Sequence, residues 1–272
     1  MEASRIDSPP GHPEIERIVA PNPGPMTLEG TNTYVVGAPG SQTGVYVIDP
    51  GPADGEHADA VRRAARRRGG IAGLLLTHSH IDHSGACALL DAPLLWGEVG
   101  SADESSTASG AGADEETSLR ARPERVGAFD VVPTPGHAVD HVCLVRDGVG
   151  FCGDLVLGRG SSFVPPDGGS LAAYLDSLHL LQQLELELLC PGHGPFITDP
   201  YERVSEYLEH RLDRERKLVA ALAEGERSRA RLLDRAWDDV PAELLPAAAV
   251  VMQAHLEKLA AEGSVTMSDL TE

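Results

Sequence analysis

Residues 74–86, LLLTHSHIDHSGA, constrain this chain more than any other stretch, because three histidines and an aspartate directly follow an apolar run. The run IAGLLLT at 71–77 is short and continuously apolar, which predicts a buried strand. His78 and His80 are separated by one residue, so at an extended strand end both imidazoles point to the same side. Two imidazoles placed in this way can share one metal ion.

Further metal-capable side chains recur along the chain. Asp82 and His83 come as the chain turns into a helix, where they can hold a second ion. His137 in PTPGHAVDH, Asp154 in FCGDLVLG and His193 in CPGHGP each follow a strand-like run in a glycine-flanked loop. Glycine lets the backbone turn sharply beneath a ligand. Together these strand ends predict a metal centre.

The order of elements indicates an α/β layered fold. Short apolar or β-branched runs bounded by Gly and Pro predict strands, and apolar residues at helical spacing predict helices. We expect strands at 31–37, 44–49, 71–77 and 129–134, a hairpin with its turn at Asp147-Gly148, and helices at 55–70, 82–90 and 170–184. After Pro200 we expect a long charged helix, two further helices and a short strand in SVTM, an order that resembles a truncated winged helix.

Composition bounds the class of protein. The chain has 272 residues, of which 42% are hydrophobic, so it can form one large domain with a small appendage. It has no apolar run of roughly 18–20 residues and no basic-then-apolar start, so we expect a cytoplasmic protein without a membrane span. Four cysteines without a CxxC pair predict buried, reduced thiols.

Charge argues against broad nucleic-acid binding. The net charge is −20, and residues 199–272 carry 10 Lys and Arg against 16 Asp and Glu, a net charge of −6. Contacts to phosphates normally require Lys or Arg. The acidic, Ser/Ala/Gly-rich stretch at 101–118 predicts a surface loop.

The set THSHIDH, PGH, GD and PGHGP resembles the metallo-β-lactamase superfamily over nearly the whole chain. The resemblance implies an αββα sandwich at 1–198 and a small helical, winged-helix-like domain at 199–272. It also implies two divalent metal ions, with zinc expected and manganese or iron as alternatives. One ion would be held by His78, His80 and His137, the other by Asp82, His83 and His193, with Asp154 as the bridge. Asp82 and Asp154 are the expected catalytic residues.

The stretches NPGPMTLEGTNTYVVG, GDLVLGRGSS and YLEHRLDRERK are similar to the beta-lactamase-like protein 2 group. That group includes endoribonucleases acting on single-stranded RNA, and relatives with the same layout act as thioesterases. We therefore expect a hydrolase that uses a hydroxide shared by two metal ions. The winged-helix-like tail and the family resemblance favour an endoribonuclease-like enzyme on single-stranded RNA. The alternative, favoured by the charge, is a thioesterase or hydroxyacylglutathione-hydrolase-like enzyme on a small acyl substrate.

Residues outside the expected ligand set also have predicted roles. Asp49 in YVIDPG matches a position that supports the metal loop. Asn32 and Tyr34 are expected to pack at a strand edge, with substrate contact as the alternative, and Ser161 and Ser162 are candidates for contacts to substrate oxygens. Structural or solvent-exposed roles are expected for His141, His179, His210 and His255.

A non-enzymatic alternative is a winged-helix module in which the first domain senses metal. Modules that read DNA usually present a basic recognition helix. The candidate helix LPAAAVVMQAHLEKLAAEG carries one Lys and no Arg, which argues against this class. The amphipathic tail would also allow a homodimer.

Overall fold

The computed structural model describes residues 5–38, 40, 43–100, 125–165 and 168–271. The expected acidic loop at 101–118 lies outside these residues. No helix in the described ranges combines the length and apolar composition of a membrane span.

Two mixed sheets form the centre of the described part of the molecule. Their strands are β1 (Ile6–Asp7), β2 (Ile15–Val19), β3 (Asn32–Val36), β4 (Val45–Ile48), β5 (Ile71–Leu75), β6 (Leu94–Trp96), β7 (Arg125–Val126), β8 (Phe129–Pro133), β9 (Val142–Arg146), β10 (Val149–Gly153) and β11 (Leu188–Pro191). The first sheet has the order β1-β2-β3-β4-β5-β6, and the second has the order β11-β10-β9-β8-β7. Strand pairing is antiparallel except for β4 with β5, β5 with β6, and β10 with β11.

In the described part of the chain, six α-helices cover the sheets and form the C-terminal segment. They are α1 (Gly55–Arg66), α2 (Ile81–Ser84), α3 (Leu171–Gln183), α4 (Pro200–Ala223), α5 (Arg229–Ala236) and α6 (Leu245–Ala261). Helix α1 begins at the cap Asp54, whose carboxylate accepts from the His57 backbone N–H, and α4 begins at Asp199 in the same way.

Side-chain alternation along the strands produces the layers. Tyr34 and Val36 of β3 point between the two sheets, where they meet Phe129 and Phe151, whereas Val35 faces α1. The outer face of the second sheet packs against α3 and the first half of α4. The expected αββα sandwich is therefore confirmed.

The C-terminal segment has its own apolar cluster, built from the end of α4 with α5, α6 and the residues after them. Leu218, Leu232, Trp237 and Leu256 lie at its centre. The boundary after residue 198 stays a prediction.

Two expected elements differ in detail. SVTM was expected to be a strand, but a 3₁₀ turn at Met267–Asp269 occupies its end, and the local pairing is an isolated bridge of Ser228 with Thr271. The helix expected at 82–90 is one α turn followed by a 3₁₀ helix, Gly85–Leu89. Gly85 lies against the backbone of the 52–53 loop, where an added Cβ would be 2.8 Å from the Ala53 nitrogen.

Candidate metal centre

All seven expected site residues converge at one edge of the sandwich. Histidines 78, 80 and 83 and Asp82 follow β5 of the first sheet. The others, His137, Asp154 and His193, follow β8, β10 and β11 of the second sheet. Three groups among the described residues have ligand atoms within 4.8 Å of one another: His78/His80/His137, His78/His83/Asp154 and Asp82/His83/His193.

The first group is a cluster of three imidazoles. His80 Nδ1 lies 3.0 Å from His78 Nε2 and 3.0 Å from His137 Nε2. The far nitrogens are fixed by hydrogen bonds: His137 Nδ1 donates to the Phe163 carbonyl at 2.6 Å, and His78 Nδ1 donates to Thr77 Oγ1 at 3.0 Å. These bonds select the tautomers that leave Nε2 lone pairs facing the centre.

The second group combines a carboxylate with two imidazoles. Asp82 Oδ2 lies 3.3 Å from His193 Nε2 and 3.5 Å from His83 Nε2. His83 Nδ1 donates to Asp49 Oδ2 at 2.9 Å, and His193 Nδ1 donates to the Gly30 carbonyl at 3.3 Å. The inner nitrogens of both rings therefore face Asp82.

Asp154 reaches both groups. Its Oδ2 lies 3.3 Å from His193 Nε2 and 3.7 Å from His137 Nε2, and its Oδ1 lies 3.5 Å from His83 Nε2. Asp154 Oδ1 and His83 Nε2 are both buried, and neither has a hydrogen-bond partner within the described part of the chain. Buried polar atoms left in this state are costly, and a cation between them would satisfy both, so the donor set fits a metal ion.

Charge among these side chains is divided between acids and bases. Burial alone would raise the pKa of Asp154, but His193 and His83 hold it well below its ordinary value. Burial alone would lower the pKa of His193, but Asp154 and Asp82 raise it to about 9. The His83 pKa is likewise raised well above its ordinary value, against burial, by Asp82, Asp154 and Asp49. Protons on these two histidines balance carboxylates that a divalent cation can neutralise in their place.

The pKa values of His78 and His137 shift in the opposite direction, downward. Burial lowers the pKa of both rings, and neighbouring histidines lower it further. A neutral imidazole is the form that ligates metals, so these rings are ready to bind without losing a proton.

Asp49 supports the site as expected. Its backbone is left-handed, with φ of 49°, and its carboxylate accepts from the Thr77 N–H and Thr77 Oγ1, both at 2.8 Å, as well as from His83. His141 is buried beneath His78, with ring centroids 5.2 Å apart, and burial lowers its pKa to about 3. It has the structural role that was expected.

Asn32, Tyr34 and Ser162 are bonded within the protein, and for Asn32 and Tyr34 this agrees with the packing role weighed for them. Asn32 and Tyr34 are buried, and both donate to the Pro191 carbonyl, so they fasten the loop that carries His193. Ser162 is also buried, and its Oγ donates to the Asp154 carbonyl. Ser161 is exposed. Of the remaining histidines, His255 is buried, His179 is exposed, and both lie on helices.

Several side chains that hold these loops in place were not predicted from the sequence. Thr31 Oγ1 donates to Asp82, and Asn22 holds Thr31 through two hydrogen bonds of 2.9 Å. Arg17 is buried, donates to the Gly194 carbonyl at 2.7 Å and pairs with Asp7. The available signal for Arg17 was a single cation within the strand IERIV. Asn22 begins the motif NPGPMTLEGTN, and Thr31 is its second-last residue.

Comparison with known proteins agrees with this geometry. The metallo-beta-lactamase superfamily model matches residues 26–193, and the beta-lactamase associated winged helix domain matches residues 229–270. Two sheets between helices, with His/Asp clusters at one edge, fit a metal-dependent hydrolase, the class to which this family model points. The chain belongs to the metallo-beta-lactamase superfamily.

Two relatives and one solved structure show how far the similarity extends. The beta-lactamase-like protein 2 homolog of Drosophila melanogaster is 30% identical, over 93% of this chain and 90% of its own. Thioesterase pkgB of Emericella nidulans is 36% identical, over 77% of this chain and 59% of its own. A beta-lactamase domain protein from Burkholderia ambifaria shares the fold, with a TM-score of 0.72 at 21% identity, over 96% of this chain and 89% of that one.

Proposed function

We propose that this chain is a dinuclear metal-dependent hydrolase of acyl thioesters. The observation that carries the proposal is the Asp154 carboxylate, whose oxygens approach both a three-histidine group and a group of two histidines and an aspartate. One ion would be held by His78, His80 and His137, the other by Asp82, His83 and His193, with Asp154 as the bridge. Mixed imidazole and carboxylate ligands suit Zn²⁺, with Mn²⁺ or Fe²⁺ as alternatives.

Divalent cations at this site would supply Lewis acidity, which activates water and stabilises negative charge on a substrate oxygen. The protein's own residues orient the reaction. Asp82 has 27% of its side chain exposed against 12% for Asp154, so Asp82 is the carboxylate nearer solvent. In the proposed mechanism Asp82 orients the attacking water, and Asp154 sets the spacing of the two groups.

The arginines near the site are engaged within the protein, which favours an acyl substrate over the phosphodiester backbone of RNA. Arg159 pairs with Glu29. It directly follows Gly158, whose N–H donates to the His193 carbonyl. Arg203 and Arg211 donate to carbonyls of the 157–162 loop, and Arg17 pairs with Asp7. RNA would have to break such bonds to gain phosphate contacts, and the net charge of −20 opposes its approach.

Exposed apolar side chains lie close in sequence to two residues of the three-histidine group. Ile81 directly follows His80 and is 39% exposed, and Val139, two residues after His137, is 59% exposed. Exposed apolar groups beside a polar centre suit a substrate with an apolar acyl portion. The thioesterase named among the relatives supports the same substrate class.

Single-stranded RNA is the second candidate, and the match to the winged helix domain at 229–270 favours it. A paired assay separates the two. The Zn²⁺-loaded protein would be given short- and long-chain acyl thioesters and a fluorescent single-stranded RNA, each with and without chelator. We expect chelator-sensitive thioester hydrolysis and intact RNA.

Matched variants report on the site. His80→Ala should abolish hydrolysis and lower the bound metal, whereas His179→Ala, at an exposed position of α3, should leave both unchanged. Chelator-sensitive RNA cleavage without thioester turnover would replace the substrate assignment. Full activity of His80→Ala would contradict the metal-dependent mechanism itself.

A further inference from the structure

Arg211 of α4 is a buried cation that reaches from the C-terminal segment to the loop after Asp154. It is 2% exposed, and its Nη2 donates to the Ser162 carbonyl and to Ser161 Oγ at 3.2 Å. The guanidinium also lies over the Tyr174 ring, 5.4 Å from its centroid. Burying a charge is costly unless the charge is well bonded. Within the described part of the chain Arg211 Nε has no hydrogen-bond partner, so the bonds from Nη2 to the loop are the ones that offset this cost.

The loop segment held by Arg211 touches two of the proposed ligands. Ser162 Oγ donates to the backbone carbonyl of Asp154. The next residue, Phe163, offers the carbonyl that accepts from His137 Nδ1 at 2.6 Å. One short segment thus orients a residue from each of two strand ends.

Other side chains of α4 hold the earlier part of the same loop. The Tyr207 hydroxyl accepts from the Leu157 N–H at 3.0 Å, and Arg203 Nη2 donates to the Gly160 carbonyl at 2.7 Å. Arg211 differs from them because its partner Ser162 bonds directly to the residue that would bridge the metals.

We infer that Arg211 is a positioning residue of the metal centre. By holding residues 161–163 it fixes the direction of Asp154 and the tautomer of His137, so the C-terminal helix forms part of the support of the site. The inference rests on the proposed ligands and concerns how they are kept in place. It predicts that a change in α4 alters metal affinity without touching any ligand.

Arg211→Met and Arg211→Lys test this, with Arg214→Met as the matched control. Arg214 lies one turn further along α4, is 3% exposed, and bonds the Ala236 carbonyl and Asp239, both within the C-terminal segment. Zn²⁺ affinity and stoichiometry would be measured by competition with a chromogenic chelator, alongside thermal unfolding of the metal-free proteins.

Arg211→Met should lower the affinity for at least one Zn²⁺ by about 10- to 100-fold, the range typical of residues that orient metal ligands. Arg211→Lys should recover part of this loss, because it keeps one donor. Arg214→Met should lower the melting temperature of the metal-free protein and bind Zn²⁺ as the wild type does. In thioester assays Arg211→Met should reduce kcat more than it changes KM.

Ser162→Ala gives an independent test should Arg211→Met fail to fold, since it removes only the hydroxyl that bonds the Asp154 carbonyl. We expect the same direction of change in Zn²⁺ affinity. Wild-type Zn²⁺ affinity in Ser162→Ala and in the folded Arg211 variants would overturn the inference. A wild-type protein that binds no metal would overturn the proposed function, and the inference with it.

Discussion

Thr31 Oγ1 donates a hydrogen bond to Asp82 Oδ2 at 3.2 Å, across 51 residues of sequence. The hydroxyl is itself held by Asn22 Nδ2 at 2.9 Å. The residue just before β3 therefore sets the direction of a carboxylate in the helix that follows β5. This bond connects the ends of two strands that are not neighbours in the sheet.

Thr31→Val removes the hydroxyl while keeping the shape of the side chain. We expect the fold to persist and the affinity for one Zn²⁺ to fall by about tenfold, because Asp82 loses its orienting donor. Chelator competition measures the change. Thr198→Val, at an exposed position, is the control, and equal affinities of the two variants would refute the orienting role of Thr31.

Asp49→Asn tests the carboxylate beneath the site. Asparagine tolerates the left-handed backbone at this position, but its amide nitrogen cannot accept the bonds that Asp49 Oδ2 receives from Thr77 and His83. Leaving a buried donor unsatisfied costs about 1–3 kcal/mol. Urea denaturation of the metal-free protein should show a loss of this size in the free energy of unfolding. An unchanged free energy of unfolding would exclude a supporting role of Asp49 beneath the site.

Gly192→Ala tests the close approach of the Gly192 backbone to the side chains of Asp154 and His83. An added Cβ would lie 2.4 Å from Asp154 Oδ1 and 2.6 Å from His83 Cε1, so both side chains must move. We expect kcat/KM to fall by on the order of a hundredfold, as small misplacements at active sites often cause.

Gly55→Ala is the control for this substitution, because an added Cβ at the start of α1 meets nothing within 4 Å. It should keep full activity and gain a few tenths to about 1 kcal/mol of stability from the lower entropy of the unfolded chain. Similar activity in both alanine variants would show that the approach at Gly192 is not needed.

His57 makes stability depend on pH. It is buried beside Thr33, with His57 Nε2 2.8 Å from Thr33 Oγ1, and burial lowers its pKa to about 4. The unfolded chain, with an ordinary histidine pKa, binds a proton more readily, so stability is full above about pH 6.5 and falls as the pH drops toward 4. The loss is on the order of 3 kcal/mol.

Urea denaturation of wild type and His57→Gln between pH 7 and about 4 measures this contribution. Other groups add their own pH dependence, so the difference between the two proteins is the informative quantity. The wild type should lose more stability than His57→Gln as the pH falls. Parallel curves would contradict the lowered pKa of His57.

The sequence predicted the central strands well because their apolar character is local. The hairpin turn at Asp147-Gly148 was also correct, and both residues have positive φ. By contrast, β2 was missed because Glu16 and Arg17, two charges within five residues, are buried there by ion pairs with distant partners. Local periodicity cannot report a partner that is far away along the chain.

The candidate site shows the same division. The seven His and Asp residues are visible in the sequence because their motifs are compact, and the structure brings them together. Thr31 and Arg211, which orient their neighbours, have ordinary sequence contexts, and their importance depends on distances across the fold. All four cysteines are buried and free, as expected from their spacing and surroundings.

The candidate site is shared between the two sheets, and this has a consequence for the order of assembly. A partly folded chain with only the first sheet formed offers the residues that follow β5, and it lacks those that follow β8, β10 and β11. The full set exists only after the sheets have docked. Metal uptake would then report the completion of folding, and time-resolved Zn²⁺ capture during refolding should lag behind the formation of secondary structure.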